Sequence, residues 1–240
     1  MTVTVQPVPI LSDNYAWLLR DTDTGAVAIV DPADAKGVAP AIEAAGRLDL
    51  ILLTHHHADH TAGTDELRAR WTCPVVGAAA DANRLPRLDI AVAEGDEVKF
   101  GGTSAVVIAT PGHTTGHIAY FFPKGAVLLC GDTLFSVGCG RLLEGTAADM
   151  FASLKKLAAL PDETLVACGH EYTENNVRFA LTVETDNMAL YARALEVKQL
   201  RSAGQPTVPS LLAQERATNP FLRAKTVAKL AEIRSAKDNF

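Results

Sequence analysis

The stretch LILLTHHHADHTAGT, residues 50–64, decides the fold, because an apolar strand pattern runs directly into a cluster of ionisable side chains and then into a helical pattern. His55 and His57 are two residues apart, so an extended chain projects their imidazoles to the same side. The turn that follows can direct Asp59 and His60 towards a second point. This single loop therefore offers ligands for two neighbouring metal ions.

Further candidate ligands follow three other strand patterns. All seven histidines fall within residues 54–60, 110–117 and 169–173. His113 follows SAVVIAT, Asp132 follows AVLLC and His170 follows TLVAC, each beside a glycine that allows a tight turn. A single histidine after a strand is more often packed or hydrogen-bonded than metal-binding. Together with the HxHxDH segment, however, these residues exceed the four ligands of one tetrahedral ion.

Composition limits the class of protein. The chain has 240 residues, of which 48% are hydrophobic and 21% charged, as in a globular protein with at least one sizeable core. The net charge of −6 argues against a nucleic-acid binder. Residues 172–240 hold ten Lys and Arg against seven Asp and Glu, a net +3, which leaves −9 for the rest. A basic tail on an acidic body suggests a small anionic ligand, although helix surfaces often carry excess Lys and Arg.

The expected location and redox state follow from the lack of a membrane-span pattern, a secretory signal and paired cysteine spacing. The longest uncharged stretch, residues 100–123, contains two prolines, several glycines and two histidines, so we expect no membrane span. The start MTVTVQPVPILSDNY lacks the basic and apolar regions of a secretory signal, so we expect a cytoplasmic protein. The cysteines are scattered without paired spacing, which favours reduced thiols over disulfides; they are Cys73, Cys130, Cys139 and Cys168.

Short apolar runs dominate the first two-thirds of the chain. The runs predicted as strands are TVTVQPV, YAWLL, AVAIV, LILLT, SAVVIAT, HIAYFF, AVLLC and TLVACG. Helical patterns lie near residues 35–45, 61–70 and 147–160, the last with a capping box of Thr146 and Asp149. Strands arriving in runs, with helices interspersed, predict two packed sheets flanked by helices.

After Tyr172 the pattern becomes helical. We expect two helices, the second capped by Thr185 or Asp186 and ended by Gly204. A short helix at residues 210–216, a break at 219–220 and a last helix to about residue 237 follow. The change of class predicts a catalytic domain at residues 1–171 and a helical substrate-binding domain at 172–240.

In order and spacing, these histidines and aspartates resemble the metallo-β-lactamase superfamily, whose fold is an αββα sandwich with a binuclear metal site. The resemblance implies that one ion binds His55, His57 and His113, the other binds Asp59, His60 and His170, and Asp132 bridges them. It implies that His56 faces away from the metals, and we expect His117 to support the site without binding a metal. Asp31 in AIVDPAD matches the buried acid that supports the metal loop. An ordinary turn aspartate before Pro32 is an equal alternative.

Longer segments resemble one family of that superfamily, glyoxalase II. They are THHHADHTAGT, TPGHTTGHIAYFF, GDTLFSVGCGRLLEGT, CGHEYTENNVRFA and VPSLLAQERATNPFLRAK. The resemblance implies that the helical tail holds glutathione, with contacts from Arg141, Leu143, Tyr172, Arg223 and Lys225. Some members have Lys and Tyr where this chain has Arg141 and Leu143, and Lys225 is not in a fixed register. Arg223 could instead be a solvated arginine at the start of the last helix.

The resemblance implies hydrolysis of S-D-lactoylglutathione to glutathione and D-lactate, in methylglyoxal detoxification. A metal-bound hydroxide would attack the thioester, with Asp132 and Asp59 as supporting carboxylates, so neither Cys130 nor Cys168 needs a catalytic role. We expect two divalent ions, zinc first and iron or manganese as alternatives. We also expect a monomer without nucleic-acid or membrane partners. A mononuclear iron persulfide dioxygenase and a non-catalytic metal-binding protein are the alternative functions.

Overall fold

The computed structural model describes residues 3–240, and Thr2, the first residue of the predicted strand TVTVQPV, lies outside this range. Contacts divide the chain into two compact units. Unit 1 comprises residues 3–109 and 116–131, and unit 2 comprises residues 110–115 and 132–240. The metal-ligand candidates are shared between the units, since His55, His57, Asp59 and His60 lie in unit 1, whereas His113, Asp132 and His170 lie in unit 2.

The first sheet of unit 1 has six strands in the order β1-β2-β3-β4-β5-β6. They are β1 (Val3–Ile10), β2 (Asn14–Asp21), β3 (Val27–Val30), β4 (Leu50–Leu52), β5 (Val75–Ala78) and β6 (Ile90–Val92). Strands β1 to β3 are antiparallel, whereas β3 to β6 are parallel. Every residue of β3, β4 and β5 is buried, which explains why these strands are continuous apolar runs.

The second sheet of unit 1 is an antiparallel meander. Its strands are β7 (Glu97–Phe100), β8 (Thr103–Ala109), β9 (Ile118–Phe122) and β10 (Val127–Gly131). Tyr120 of β9 is fully buried, and its hydroxyl donates a hydrogen bond of 2.9 Å to the carbonyl of Leu53, the residue after β4. This bond joins the two sheets within unit 1. Burial raises the pKa of Tyr120 well above its usual value.

Three helices of unit 1 precede or follow the parallel strands: α1 (Ala35–Ala45), α2 (Ala58–Thr61) and α3 (Thr64–Trp71). Helix α1 spans the predicted residues. The predicted helix at 61–70 is wrong in its start, because the chain forms two helices around Gly63. The Gly63 N–H donates to the carbonyl of Pro32, and a β-carbon there would lie 2.5 Å from that oxygen. Only glycine permits this approach.

Unit 2 contains four short strands and six helices among its described elements. They are β11 (Leu134–Phe135), β12 (Gly138–Cys139), α4 (Ala147–Ala158), β13 (Leu165–Cys168), α5 (Thr173–Val183), α6 (Met188–Ser202), β14 (Ser210–Leu211), α7 (Leu212–Thr218), α8 (Pro220–Arg223) and α9 (Val227–Asp238). Strands β11 and β12 form a hairpin, and β13 pairs with β14. The expectation that strands stop after Tyr172 is therefore wrong at β14.

Helix ends agree with the sequence in part. The capping box of Thr146 and Asp149 at α4 is confirmed, and the chain breaks at Asn219 as predicted. The cap of α6 is Asn187, however, and not Thr185 or Asp186. The Asn187 side chain accepts from the Leu190 N–H at 3.1 Å and donates to the Ala217 carbonyl at 2.9 Å. That second bond reaches another helix, which local sequence does not reveal.

No helix within residues 3–240 is both long and apolar enough to cross a membrane. The four cysteines are free and buried, as expected for reduced thiols. The division at residues 171 and 172 differs from the two contact-defined units, because residues 132–171 group with the helical tail. The predicted domain boundary therefore stays a prediction.

The Tyr120 hydrogen bond can be tested with Tyr120→Phe. Removing the hydroxyl leaves a buried carbonyl without this donor, so we expect the free energy of unfolding to fall by about 1–3 kcal/mol. Urea denaturation measures the change, with Tyr191→Phe as a control. The Tyr191 hydroxyl also donates to a carbonyl, at 3.1 Å, but its side chain is exposed. Equal losses in both variants would show that the bond between the sheets has no special contribution.

Candidate metal centre and adjoining cavity

The first histidine segment brings its donor atoms together in two pairs. His55 Nε2 and His57 Nδ1 lie 3.1 Å apart, just after β4. His60 Nε2 and Asp59 Oδ2 lie 3.7 Å apart at the start of α2. His55 and His60 are buried, whereas His57 and Asp59 are partly exposed. The segment thus presents two pairs of candidate ligand atoms.

The carboxylate of Asp31 forms hydrogen bonds that orient this segment. Asp31 is buried at the end of β3 and accepts from the Thr54 N–H at 2.8 Å and the Thr54 hydroxyl at 2.6 Å. Its second oxygen also lies 3.0 Å from His60 Nδ1. In a neutral imidazole, the hydrogen bond to Asp31 puts the proton on Nδ1 and the lone pair on Nε2. Asp31 thus acts as the supporting acid, not as an ordinary turn residue.

The Thr54 hydroxyl extends this control to His55. Because Thr54 Oγ1 donates its proton to Asp31, it accepts from His55 Nδ1, 3.0 Å away. The His55 lone pair is therefore on Nε2, the atom that faces His57. Oxygen and nitrogen atoms of Asp31, His55 and His60 all lie within 4.8 Å of one another. Such supporting hydrogen bonds orient metal ligands and increase their basicity.

The remaining histidines of unit 1 have other partners. His56 Nδ1 lies 3.1 Å from the buried carboxylate of Asp81, which also binds Arg84 at 2.5 Å. The His117 ring is buried and stacks on His55 with centroids 4.8 Å apart. His117 therefore supports a candidate ligand by packing. The roles expected for His56 and His117 relative to the metal ions stay predictions.

Asn14 contacts a candidate ligand, and sequence reasoning missed it. It is buried at the start of β2, and its side-chain amide donates to the Asp59 carbonyl at 3.0 Å and to Asp59 Oδ2 at 3.1 Å. These bonds orient a half-exposed carboxylate that the sequence assigns as a ligand. An asparagine beside an aspartate in a loop such as SDNY is common in turns, so the local pattern carries no signal of this contact.

In unit 2, the carboxylate of Asp132 lies between two histidines. Asp132 Oδ2 is 3.5 Å from His113 Nε2 and 3.3 Å from His170 Nε2. All three side chains are buried. His113 Nδ1 donates to the Arg141 carbonyl at 2.9 Å, which places the His113 lone pair on Nε2. A carboxylate next to two imidazoles of different assigned ions has the position expected of a bridge.

The donor set fits divalent metal ions. Imidazole nitrogens with their lone pairs oriented by hydrogen bonds, together with carboxylate oxygens, are typical ligands of zinc, iron and manganese. Buried imidazoles and carboxylates arranged in this way, within each unit, support divalent metal binding by this chain.

A cavity of about 300 Å³ adjoins these residues within unit 2. It is lined by Phe135, Cys139, Arg141, Tyr172, Asn175, Asn176, Arg234, Lys237 and Asp238. The Tyr172 ring stacks on His170, with centroids 4.5 Å apart and planes 7° from parallel. Tyr172 thus lines the cavity and also packs against a candidate ligand. Three cations and one anion line the cavity, which suits an anionic molecule.

Only two of the predicted substrate contacts, Arg141 and Tyr172, line this cavity. Arg223 is exposed and forms an ion pair of 2.8 Å with Glu184. Leu143 and Lys225 are exposed as well. The cavity's other cations, Arg234 and Lys237, were not singled out by the sequence. They are three residues apart in α9, and this spacing on one helix face is the signal that could have found them.

Lys237 lies in an unusual environment. Burial, together with the neighbouring charges of Arg234 and Arg178, lowers its pKa to about 8, against the opposing effect of Asp238. Its ammonium also lies near the rings of Phe179 and Phe240, at 5.3 and 5.1 Å. Lys237 is therefore mostly charged at neutral pH and loses its charge as the pH rises through about 8.

The cysteines near the site are poor nucleophiles. Burial raises the pKa of Cys139 to about 11 and that of Cys168 to about 12. A thiol is reactive as its thiolate, so neither residue has an activated sulfur. This agrees with a mechanism that needs no cysteine.

The role of Asp31 leads to a prediction about metal affinity. In Asp31→Asn, the amide keeps the size of the side chain but cannot accept at both oxygens from Thr54 and His60. We expect metal affinity to fall by about 10- to 100-fold, the usual cost of losing such a supporting partner. Competition with a chromophoric chelator measures it. Asp34→Asn, at the cap of α1, is the matched control, and equal affinity in all three proteins would contradict the assignment.

Comparisons with known proteins agree with this geometry. Residues 11–170 match the model of the metallo-β-lactamase superfamily, and residues 171–240 match that of the hydroxyacylglutathione hydrolase C-terminus. A hydroxyacylglutathione hydrolase of Acidiphilium cryptum is 57% identical over 99% of this chain and 97% of its own length.

Solved structures show the same fold. ETHE1 from Myxococcus xanthus is 27% identical, with a TM-score of 0.75 over 97% of this chain and 90% of that one. TTHA1623, solved in a di-iron-bound form, is 29% identical, with a TM-score of 0.61 over 69% of this chain and 91% of that one. The predicted α/β fold with a C-terminal helical region is confirmed. The chain belongs to the metallo-β-lactamase superfamily and, within it, to the hydroxyacylglutathione hydrolase family of hydrolases.

Proposed function

We propose that the chain hydrolyses S-D-lactoylglutathione and related 2-hydroxyacylglutathione thioesters to glutathione and D-lactate, in methylglyoxal detoxification. The observation that carries the proposal is Tyr172, which lines the basic cavity and stacks on the candidate ligand His170. A glutathione moiety held in the cavity would therefore contact Tyr172, whose ring packs directly on a candidate metal ligand. The 57% identical relative named hydroxyacylglutathione hydrolase supports the same substrate.

We propose that two ions bind, zinc in the first place and iron or manganese as alternatives. His55, His57 and His113 would hold one ion, Asp59, His60 and His170 would hold the other, and Asp132 would contribute its carboxylate to both. The close donor pairs of unit 1 and the position of Asp132 between His113 and His170 in unit 2 support this division. The similar di-iron-bound structure makes iron a serious alternative.

When bound, the ions supply activated water, because a metal lowers the pKa of its water from 15.7 to about 7. The protein side chains orient the reaction. Asp59 and Asp132 are the supporting carboxylates, and Asn14 fixes the orientation of Asp59. Asp31 and Thr54 keep the protons of His55 and His60 on Nδ1. Because a thiol has a pKa near 8.5, glutathione leaves as a thiolate without a dedicated acid.

The glutathione moiety carries carboxylates at both ends, and the cavity offers cations for them. Arg234 is buried and already donates to the Cys139 carbonyl at 2.8 Å and to Asp238. Arg141 and Lys237 are more accessible, so we propose them as the carboxylate contacts, with Tyr172 beside the thioester. Leu143, Arg223 and Lys225 stay predictions as substrate contacts.

The alternative functions have less support. A mononuclear iron persulfide dioxygenase needs fewer of the seven ligands and no helical tail, whereas residues 171–240 match the hydroxyacylglutathione hydrolase model. A non-catalytic metal-binding protein has no use for the cavity. Incubation with S-D-lactoylglutathione, followed by thiol release, tests the proposal directly. Absence of thiol release by the metal-loaded protein would refute it.

We also propose a cytoplasmic monomer in which residues 1–171 form the catalytic domain and residues 172–240 the substrate-binding domain. The four buried, free cysteines support a reducing compartment.

We expect elemental analysis to find about two metal ions per chain, because seven ligands exceed the needs of one four-coordinate ion. Asp132→Ala should abolish activity and weaken both ions together, since the bridge is the only protein ligand that they share. His56→Ala is the control and should retain both ions. A fully loaded protein with one ion, or equal metal loss in the two variants, would refute the ligand assignment.

Lys237→Ala and Arg223→Ala, measured side by side, decide which cation binds the substrate. A charge-assisted hydrogen bond contributes about 1.5–3 kcal/mol, so losing the true contact should raise KM roughly 10- to 100-fold with little change in kcat. We expect the larger effect from Lys237→Ala, because Arg223 already pairs with Glu184. A larger effect from Arg223→Ala would restore the sequence-based assignment.

The same site predicts a pH dependence. Because the pKa of Lys237 is about 8, its charge is present below that pH and lost above it. The wild-type KM should therefore rise between about pH 7 and pH 9, more steeply than that of Lys237→Arg, whose guanidinium stays charged. Parallel KM profiles in the two proteins would exclude Lys237 as a substrate contact.

A further inference from the structure

The hairpin β11–β12 has an unfavourable backbone at its tip. Its loop residues are Ser136 and Val137, and Val137 has a φ of 56°. Glycine or asparagine usually occupies such a left-handed position, and a β-branched residue there is a rare outlier. The surrounding structure must therefore hold Val137 in this conformation.

Part of the restraint is apolar. The Val137 side chain is fully buried in a cluster with Val177 and Ala180 of α5 and Leu190 and Val197 of α6. Burying valine in this cluster requires the hairpin tip to point into the helices. Hydrophobic contact alone is not directional, however, and does not select one backbone conformation.

The directional part of the restraint is the carboxylate of Glu215 in α7, which is fully buried. One oxygen accepts from the Ser136 hydroxyl at 2.8 Å and the other from the Val137 N–H at 2.7 Å. Both loop residues are thus held by one side chain. Arg193 of α6, also buried, donates to the Ser136 hydroxyl at 3.1 Å and brings a compensating charge.

Two asparagines hold carbonyls of the loop and of the strand residues beside it. The Asn219 amide donates to the Phe135 and Gly138 carbonyls at 3.1 and 2.9 Å and lies 3.2 Å from Glu215. The Asn176 amide donates to the Ser136 carbonyl at 3.1 Å. Polar groups from α5, α6, α7 and the cap of α8 therefore fix a hairpin of six residues.

This hairpin carries side chains that touch the candidate site. The Phe135 ring lies edge-on to His170 and to Tyr172, with centroids 5.9 and 5.3 Å away. The Cys139 carbonyl accepts from Arg234, which lines the cavity. A shift of the hairpin would thus move the packing surface of a ligand ring and of the cavity's aromatic side chain.

We propose that Glu215 is a positioning residue for the reaction. Its carboxylate holds Val137 in the left-handed conformation and thereby fixes Phe135 against His170 and Tyr172. The inference rests on the proposed function for its kinetic and binding readouts, but not for its exchange readout. The carboxylate of Glu215 bonds to Ser136, Val137 and Asn219, and Glu215 is not among the described residues that line the cavity, so its effect is transmitted through the hairpin.

The main variant is Glu215→Gln, which keeps the side-chain size but replaces one acceptor oxygen by a donor. A small misplacement of catalytic groups can cost about 100-fold, so we expect kcat/KM to fall about 10- to 100-fold with the metal content retained. Hydrogen exchange should become faster in the peptide spanning residues 133–140. The Kd of a non-hydrolysable S-alkyl glutathione should rise, because Tyr172 loses its support.

The conformational origin is tested by rescue. Glycine adopts a φ near 56° without strain. Adding Val137→Gly to Glu215→Gln should therefore recover part of the lost kcat/KM, although Val137→Gly alone removes a core side chain. Failure of rescue, with the double variant folded, would contradict the role assigned to the left-handed backbone.

Ile42→Ala in α1 of unit 1 is the stability control, because Ile42 is fully buried and distant in sequence from the hairpin. It should lower the Tm while kcat/KM of the folded protein is unchanged. If Glu215→Gln behaves in the same way, Glu215 only stabilises the fold and the proposal is wrong.

Should Glu215→Gln not fold, Ser136→Ala replaces it, because this variant removes one hydrogen bond to Glu215. The same results would then support or refute the proposal. Wild-type protein without turnover would refute the proposed function, whereas unchanged Kd and exchange in the variant would refute the positioning role.

Discussion

The hydrogen bonds of Asp31 are the interaction on which the rest of unit 1's candidate site depends. One buried carboxylate joins the end of β3 to the segment that follows β4, through the Thr54 N–H and hydroxyl. It also holds His60, and through Thr54 it controls His55. Parallel strands alone would bring the two chain ends to the same sheet edge, but they would not set the ring orientations. The Asp31 carboxylate adds this orientation, because its hydrogen bonds leave the lone pairs of His55 and His60 on Nε2.

Unit 2 uses buried carboxylates in the same manner. Glu215 accepts from the loop of the β11–β12 hairpin, and Glu171 accepts from the Thr207 N–H at 2.9 Å directly after the candidate ligand His170. Burying a charge is costly unless hydrogen bonds compensate it. Each of these carboxylates accepts from a backbone N–H and a hydroxyl, so the compensation itself fixes the loop. The same hydrogen bonds therefore offset the cost of burying the charge and hold the loop in position.

Much of the fold was predictable from local patterns. All eight apolar runs form strands, and α1 and the capping box of α4 lie where the sequence places them. The missed strands are short or partly polar, and they form because a neighbouring strand offers hydrogen bonds; they are β5, β6, β7, β11, β12 and β14. The break at Gly63 and the cap at Asn187 depend on Pro32 and Ala217, which are distant in sequence. A window of local sequence cannot contain such partners.

The candidate site also contains residues that local sequence predicts and residues that depend on distant partners. The candidate ligands of unit 1 were identifiable because HxHxDH places its donors by strand and turn geometry within six residues. The cations of the cavity were not identifiable, since the tertiary surroundings of Arg223 and Lys237 are not visible in the sequence. Arg223 pairs with Glu184, whereas Lys237 is half-buried beside Arg234. Val137 is the sharpest case. By local rules a valine disfavours its left-handed position, and only Glu215 and the helical cluster make that conformation stable. Where a local rule is broken and distant groups compensate, the sequence misleads and the structure carries the functional information.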